Sequence, residues 1–146
     1  ELDMAEAVTE IQAAIDYLQT LPTVAGPKVG VVGFCMGGGL ALETGLKEVD
    51  VAATVAFYGR PLSQGRAAQI RAPVLGLFGA EDGGIPVADV RAMEQGFNDK
   101  GIENEIQVYD GAGHAFFNDT RDSYHPEAAV DAWQRTLDWF NQHLKA

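Results

Sequence analysis

The sequence predicts an α/β fold: a three-layer sandwich in which a mostly parallel sheet of about four strands carries helices on both faces. Short β-branched runs without polar alternation stand at 28–34, 51–58 and 73–79, the pattern of strands covered on both faces. Segments with apolar residues every third or fourth position flank them, giving the order helix, strand, helix, strand, loop, strand, helix, strand, helix. A length of 146 residues, 47% hydrophobic and 21% charged, suits one globular domain over 1–146 with a real core.

The first helix carries Met4, Val8, Ile11, Ile15 and Leu18 on one stripe, with Glu6, Glu10 and Asp16 between them, and Pro22 ends it. The run Lys28 to Phe34 stops abruptly at Cys35 and a glycine cluster. Leu40, Ala41, Leu42 and Leu46 then predict a short helix, and Val51 to Tyr58 a second strand broken by Gly59 and Pro61. A polar connection leads through Gln69 to the third strand, Pro73 to Gly79. Pro86 opens a helix with Val90, Met93 and Phe97 inside, and Gly101 closes it. In Glu103 to Tyr109, Ile106 and Val108 alternate with Glu105 and Gln107, as in a half-exposed edge strand. From about Pro126 a last helix aligns Val130, Trp133, Leu137, Phe140 and Leu144.

Ten Lys and Arg against 21 Asp and Glu give a net charge of −11, which opposes binding to nucleic acid or an anionic membrane surface. No apolar stretch approaches the roughly 20 residues of a membrane span, and the first residues show no signal-peptide pattern. The expectation is a soluble, cytoplasmic protein. The single cysteine, Cys35, excludes an intramolecular disulfide and any zinc site of paired cysteines, and three scattered histidines add no ligand set. Neither a metal nor an organic cofactor is expected.

In a parallel sheet, ligands sit at the carboxyl ends of the strands, so the loops after Phe34, Tyr58, Phe78 and Tyr109 are where chemistry is expected. The first holds Gly33-Phe34-Cys35-Met36-Gly37-Gly38, a nucleophile elbow with cysteine in the serine position. The nucleophile of an elbow sits on a strained strand-to-helix turn, and side chains two residues before and after it are expected to collide, so both positions call for glycine. The turn aims Cys35 at a helix N-terminus, where the dipole favours a thiolate and the Met36 N–H can donate to an oxyanion. A structural cysteine in a nucleotide-binding turn is the competing reading, but no Lys-Ser/Thr follows the glycines and no Gly-x-Gly-x-x-Gly occurs.

A thiol nucleophile needs a base, and an imidazole needs a group that fixes its tautomer. His114, in Gly111-Ala112-Gly113-His114-Ala115-Phe116, lies in the loop after the last strand among small residues that let it approach the site. His125 is a reserve candidate at the pocket rim, and His143 reads as a cation at a helix C-terminus. In Gly79-Ala80-Glu81-Asp82-Gly83-Gly84, two carboxylates follow the third strand, and Asp82 is the better placed. The chain order Cys35, Asp82, His114 matches the nucleophile, acid, histidine order of α/β-hydrolases.

Together with Phe57-Tyr58-Gly59, these motifs resemble the dienelactone hydrolase (carboxymethylenebutenolidase) family over essentially the whole chain. The resemblance implies the C-terminal part of an α/β-hydrolase fold that cleaves a small ester or lactone through a cysteinyl acyl-enzyme. Cys35 would be nucleophile, His114 general base and then acid, and Asp82 the orienting carboxylate. The Met36 amide would serve the oxyanion hole, while Phe34, Tyr58 and Phe116 would line the substrate pocket. Family members are longer at the N-terminus, and the additional strands carry a second oxyanion amide, a glutamate beside the resting cysteine and a substrate-binding arginine. Where a further arginine is expected after the histidine, this chain reads Phe116-Phe117-Asn118, with Arg121 as a distant substitute.

Without preceding strands, residues 28–34 would form an exposed apolar edge, and two chains are expected to pair through it as a homodimer. A catalytically incomplete fragment acting as an interaction or self-assembly module is the alternative to an enzyme. A redox-responsive thiol at Cys35 is a third.

Overall fold

The computed structural model describes residues 3–47 and 50–145. Asp3 caps helix α1 (Met4–Thr20), its Oδ1 accepting the N–H groups of Ala5 and Glu6 at 2.8 and 3.2 Å. Strand β1 (Val29–Phe34) leads through Cys35 into α2 (Met36–Lys47), and β2 (Val51–Phe57) follows. The polar connection after β2 contains one turn of helix, α3 (Gln64–Ala67), which its composition does not signal. β3 (Val74–Gly79), α4 (Val87–Asp99), β4 (Asn104–Tyr109) and α5 (Pro126–Leu144) complete the chain. Gly101, at φ 65°, lets Ile102 N–H reach back to the Phe97 carbonyl and stop α4.

The four strands are all parallel in the order β1-β2-β3-β4. Their faces follow the alternation of side chains. Val29 and Val31 pack with Ile11 and Ile15 of α1, whereas Gly30 faces Phe140 and Leu144 of α5 on the opposite side. β2 and β3 are buried along nearly their whole length, which explains their unalternating apolar sequences. β4 is the half-exposed edge that its alternation predicts.

β1 is the other edge and is not covered on both faces: Val32 is 41% and Phe34 39% exposed. α2 starts earlier than its apolar residues suggest, at Met36 rather than near Leu40, because Gly37 to Gly39 hide a helical turn that is needed for close packing. A Cβ on Gly38 would stand 2.7 Å from the Phe57 carbonyl oxygen, and one on Gly59 would stand 2.4 Å from the Gly39 nitrogen. The first turn of α2 thus lies directly against the backbone that leaves β2.

Among the described residues, no helix is long and apolar enough to cross a membrane.

Candidate active site

The loops that follow β1, β2, β3 and β4 meet at the carboxyl end of the sheet. Cys35 N–H donates to the Phe57 carbonyl at 3.0 Å, so the residues leaving β1 and β2 stay adjacent beyond the strands. The loops after β3 and β4 are joined by Ala80 N–H to Tyr109 O and Glu81 N–H to Ala112 O, both 2.9 Å. Gly79 permits that approach, since a Cβ there would stand 2.3 Å from the Ala112 carbonyl oxygen. Asp82 and His114 are delivered by this pair of loops.

His114 Nδ1 lies 2.7 Å from Asp82 Oδ2, and His114 Nε2 lies 3.1 Å from Cys35 Sγ. The other Asp82 oxygen accepts the Gly84 N–H at 2.9 Å, which holds the carboxylate in place. The Asp82 side chain is only 2% exposed and that of His114 is 40%, so the imidazole joins a buried anion to an open thiol. Such a chain of contacts can hold a proton on Nδ1 against the carboxylate and leave Nε2 facing the sulfur.

Strain is concentrated here. Cys35 (φ 55°), Tyr58 (φ 36°) and Ala115 (φ 60°) are the non-glycine residues with positive φ among those described, and all three lie around the Cys35–His114 pair. The elbow has the expected turn, with one correction to its glycine requirement. A Cβ on Gly33 would stand 1.8 Å from the Gly37 carbonyl oxygen, whereas a Cβ on Gly37 would meet nothing within 4 Å. The Gly38 and Gly39 N–H groups bond to Cys35 O, whereas the Met36 and Gly37 N–H groups at the start of α2 have no partner among the described residues.

Cys35, Met36, Tyr58, Asp82 and His114 line one open cleft of about 1420 Å³. The Tyr58 and His114 rings meet edge to face, with centroids 5.2 Å apart. Burial pushes its phenol up to about 12, with the Cys35 charge adding to the rise and Arg121 opposing it.

The other two aromatic residues expected in the pocket lie elsewhere. Phe116 is fully buried beneath Tyr58 and Tyr109, with centroids 5.3 and 5.2 Å away, because the αL turn at Ala115 points the next side chain into the core. Phe34 stacks on Phe57 and Phe117, with centroids 4.6 and 5.5 Å away, on the α5 side of the sheet. His125 is not at the cleft but caps α5, its Nδ1 accepting the Ala128 N–H at 3.3 Å. His143 sits in the last turn of α5 against the Trp139 ring, with Nε2 3.5 Å from Glu103.

The far wall of the cleft has no counterpart in the motif reading. It includes Arg60, Leu62, Glu43 and Arg66, with Arg66 held in a bidentate pair by Glu43 at 2.6 and 2.7 Å. Arg60 and Leu62 follow β2 directly, so the strand-end rule that picks out Tyr58 also reaches them.

The profile of the dienelactone hydrolase family matches residues 1–144. The chain belongs to the dienelactone hydrolase family. A Synechocystis protein provisionally named carboxymethylenebutenolidase is 38% identical over 97% of this chain and 61% of its own length. A Methylorubrum extorquens protein of the same provisional name is 36% identical over 95% of this chain and 51% of its own length. Among solved structures, a provisionally named dienelactone hydrolase from Klebsiella pneumoniae superposes with a TM-score of 0.89 at 32% identity, covering 97% of this chain and 63% of that one. A dienelactone hydrolase-like promiscuous phosphotriesterase from metagenomic libraries gives 0.83 at 27% identity, with the same coverage. This dienelactone hydrolase family chain therefore spans between about half and three fifths of the length of these relatives.

Proposed function

We propose that the chain hydrolyses a small ester or lactone through a cysteinyl acyl-enzyme, with Cys35, His114 and Asp82 acting as a triad. The observation that carries this reading is the continuous contact from Asp82 Oδ2 through His114 to Cys35 Sγ, at 2.7 and 3.1 Å. Family membership supports the reaction class.

In acylation, His114 Nε2 takes the thiol proton and sulfur attacks the carbonyl carbon, forming a C–S bond. The carbonyl electron pair moves to oxygen, which the Met36 N–H is placed to receive as one oxyanion donor. Collapse breaks the C–O bond, and the leaving oxygen takes the proton from His114 Nε2. Water, deprotonated by the same nitrogen, then attacks the thioester, and the thiol leaves with its proton restored. Asp82 keeps Nδ1 protonated throughout and stabilises the imidazolium. A thioester is an activated acyl group, so cysteine suits esters and lactones better than amides. An exposed free thiol fits a reducing compartment such as the cytoplasm.

Intact-mass detection after mixing with p-nitrophenyl acetate tests the triad. The parent chain is expected to show one acetyl adduct that turns over, and Cys35→Ala none. His114→Ala is expected to acylate slowly and fail to clear. A parent that stays unmodified and releases no p-nitrophenol beyond Cys35→Ala would overturn the reading.

A further inference from the structure

We infer that Tyr58 is a further catalytic residue, its hydroxyl donating a hydrogen bond to the leaving-group oxygen of the substrate as the ester bond breaks. The inference rests on the acyl-enzyme reading above and adds a specificity to it.

Four observations meet at this side chain. Tyr58 stands directly after β2, beside Cys35, because the Cys35 N–H bonds to the carbonyl of Phe57 at 3.0 Å. Its φ of 36° is a conformation that a bulky L residue avoids, and no elbow motif demands it there. The ring is wedged between Phe57, Phe116 and His114, with centroids at 6.1, 5.3 and 5.2 Å, so the strained backbone and the aromatic packing together set its direction. The hydroxyl makes no hydrogen bond to a described side chain or backbone group, yet the residue lines the cleft of Cys35 and His114.

A tyrosine used for packing alone needs no hydroxyl, and the Tyr58 hydroxyl is open to solvent in the cleft rather than buried without a partner. Here the residue lines the cleft shared by Cys35 and His114, and its ring centroid stands 5.2 Å from that of the imidazole that hands the leaving oxygen its proton. With its phenol pushed up to about 12, Tyr58 keeps its proton at every working pH. Its part is therefore to donate a hydrogen bond without transferring the proton. In acylation sulfur bonds to the carbonyl carbon, the C–O bond breaks, and the proton moves from His114 Nε2 to the leaving oxygen. The Tyr58 O–H bond stays intact and offsets the negative charge growing on that oxygen.

That charge is greatest for poor leaving groups, and this decides the test. Single-turnover acylation of the chain and of Tyr58→Phe is followed with acetate esters of graded alcohols, from p-nitrophenol through phenol to trifluoroethanol. The loss in Tyr58→Phe is expected to be about threefold for p-nitrophenyl acetate and to rise to about 100-fold for the trifluoroethyl ester, the lower end of the range for removing one oxyanion-hole donor. The leaving-group dependence thus becomes steeper. An equal loss across all esters would assign Tyr58 a packing role and overturn the inference, as would no loss at all. Far-ultraviolet circular dichroism and the unfolding midpoint of Tyr58→Phe check that the fold is kept, and both are expected to be unchanged. If the parent releases no alcohol or phenol beyond Cys35→Ala, the acyl-enzyme reading fails and this inference fails with it. An active parent with parallel slopes removes only the role of Tyr58.

Discussion

A Cβ on Gly33 would stand 1.8 Å from the carbonyl oxygen of Gly37, whereas a Cβ on Gly37 points into open space. The two glycines that frame the elbow therefore have different physical roles. Gly33 lets the end of β1 lie against the first turn of α2, and that contact fixes the direction in which Cys35 leaves the sheet.

Substitution separates the two. Gly33→Ala is expected to cost at least about 3 kcal/mol, because the neighbour it meets is backbone that cannot move aside. Gly37→Ala is expected to be neutral or to stabilise by about 0.5 kcal/mol through helix propensity. Urea unfolding of both variants checks this, and equal losses would refute the asymmetry.

Asp82→Asn keeps the shape of the site but offers Nδ1 of His114 an amide in place of a carboxylate. Turnover of an activated ester is expected to fall on the order of 10³-fold while the fold is retained. Stopped-flow acylation and circular dichroism on the same sample measure both, and a loss below about tenfold would mean that another group orients His114.

Thr54 is fully buried in β2, and its hydroxyl has no hydrogen-bond partner among the described residues. Thr54→Val replaces it with a methyl of similar shape and is expected to stabilise the chain by about 1 kcal/mol. Thermal or urea unfolding reads the shift, and a destabilised variant would show that the hydroxyl is satisfied.

Asp131 on α5 accepts from Arg135 Nε at 2.6 Å and from the Tyr109 hydroxyl at 2.8 Å, while Arg135 also pairs with Glu105 of β4. Arg135 above all, and then Tyr109, hold the Asp131 carboxyl below its usual range. A depressed folded-state value means that this stabilisation is present above the unfolded carboxyl value of about 3.9 and is lost as pH falls through the lower, folded one. The stability gap between the parent and Asp131→Asn is therefore expected to be full at pH 6 and to close below about pH 3.9. Urea midpoints across that range measure it, and a gap independent of pH would remove the charge from the explanation.

The elements and the candidate triad were legible because their signals are local. Helix stripes, unalternating strand runs and the glycines around Cys35 are each set by neighbours a few residues away, and the strand-end rule places the loops on one side of the sheet. α3 was not legible, since its four polar and small residues have no periodicity and are held by packing on α4, where Gly96 lies against the Gln64 carbonyl.

The pocket aromatics show where local reading stops. Phe34 and Tyr58 lie at or just beyond strand ends and Phe116 in the loop after β4, and composition gives no reason to separate them. The tertiary structure sends Phe34 to the α5 face, Tyr58 to the cleft and Phe116 into the core. The sequence by itself determined which residues could react and on which side of the sheet they would stand. Only the folded chain decided which side chains share the cleft, because that depends on register between strands and on backbone angles at Tyr58 and Ala115, which are held by contacts distant in sequence.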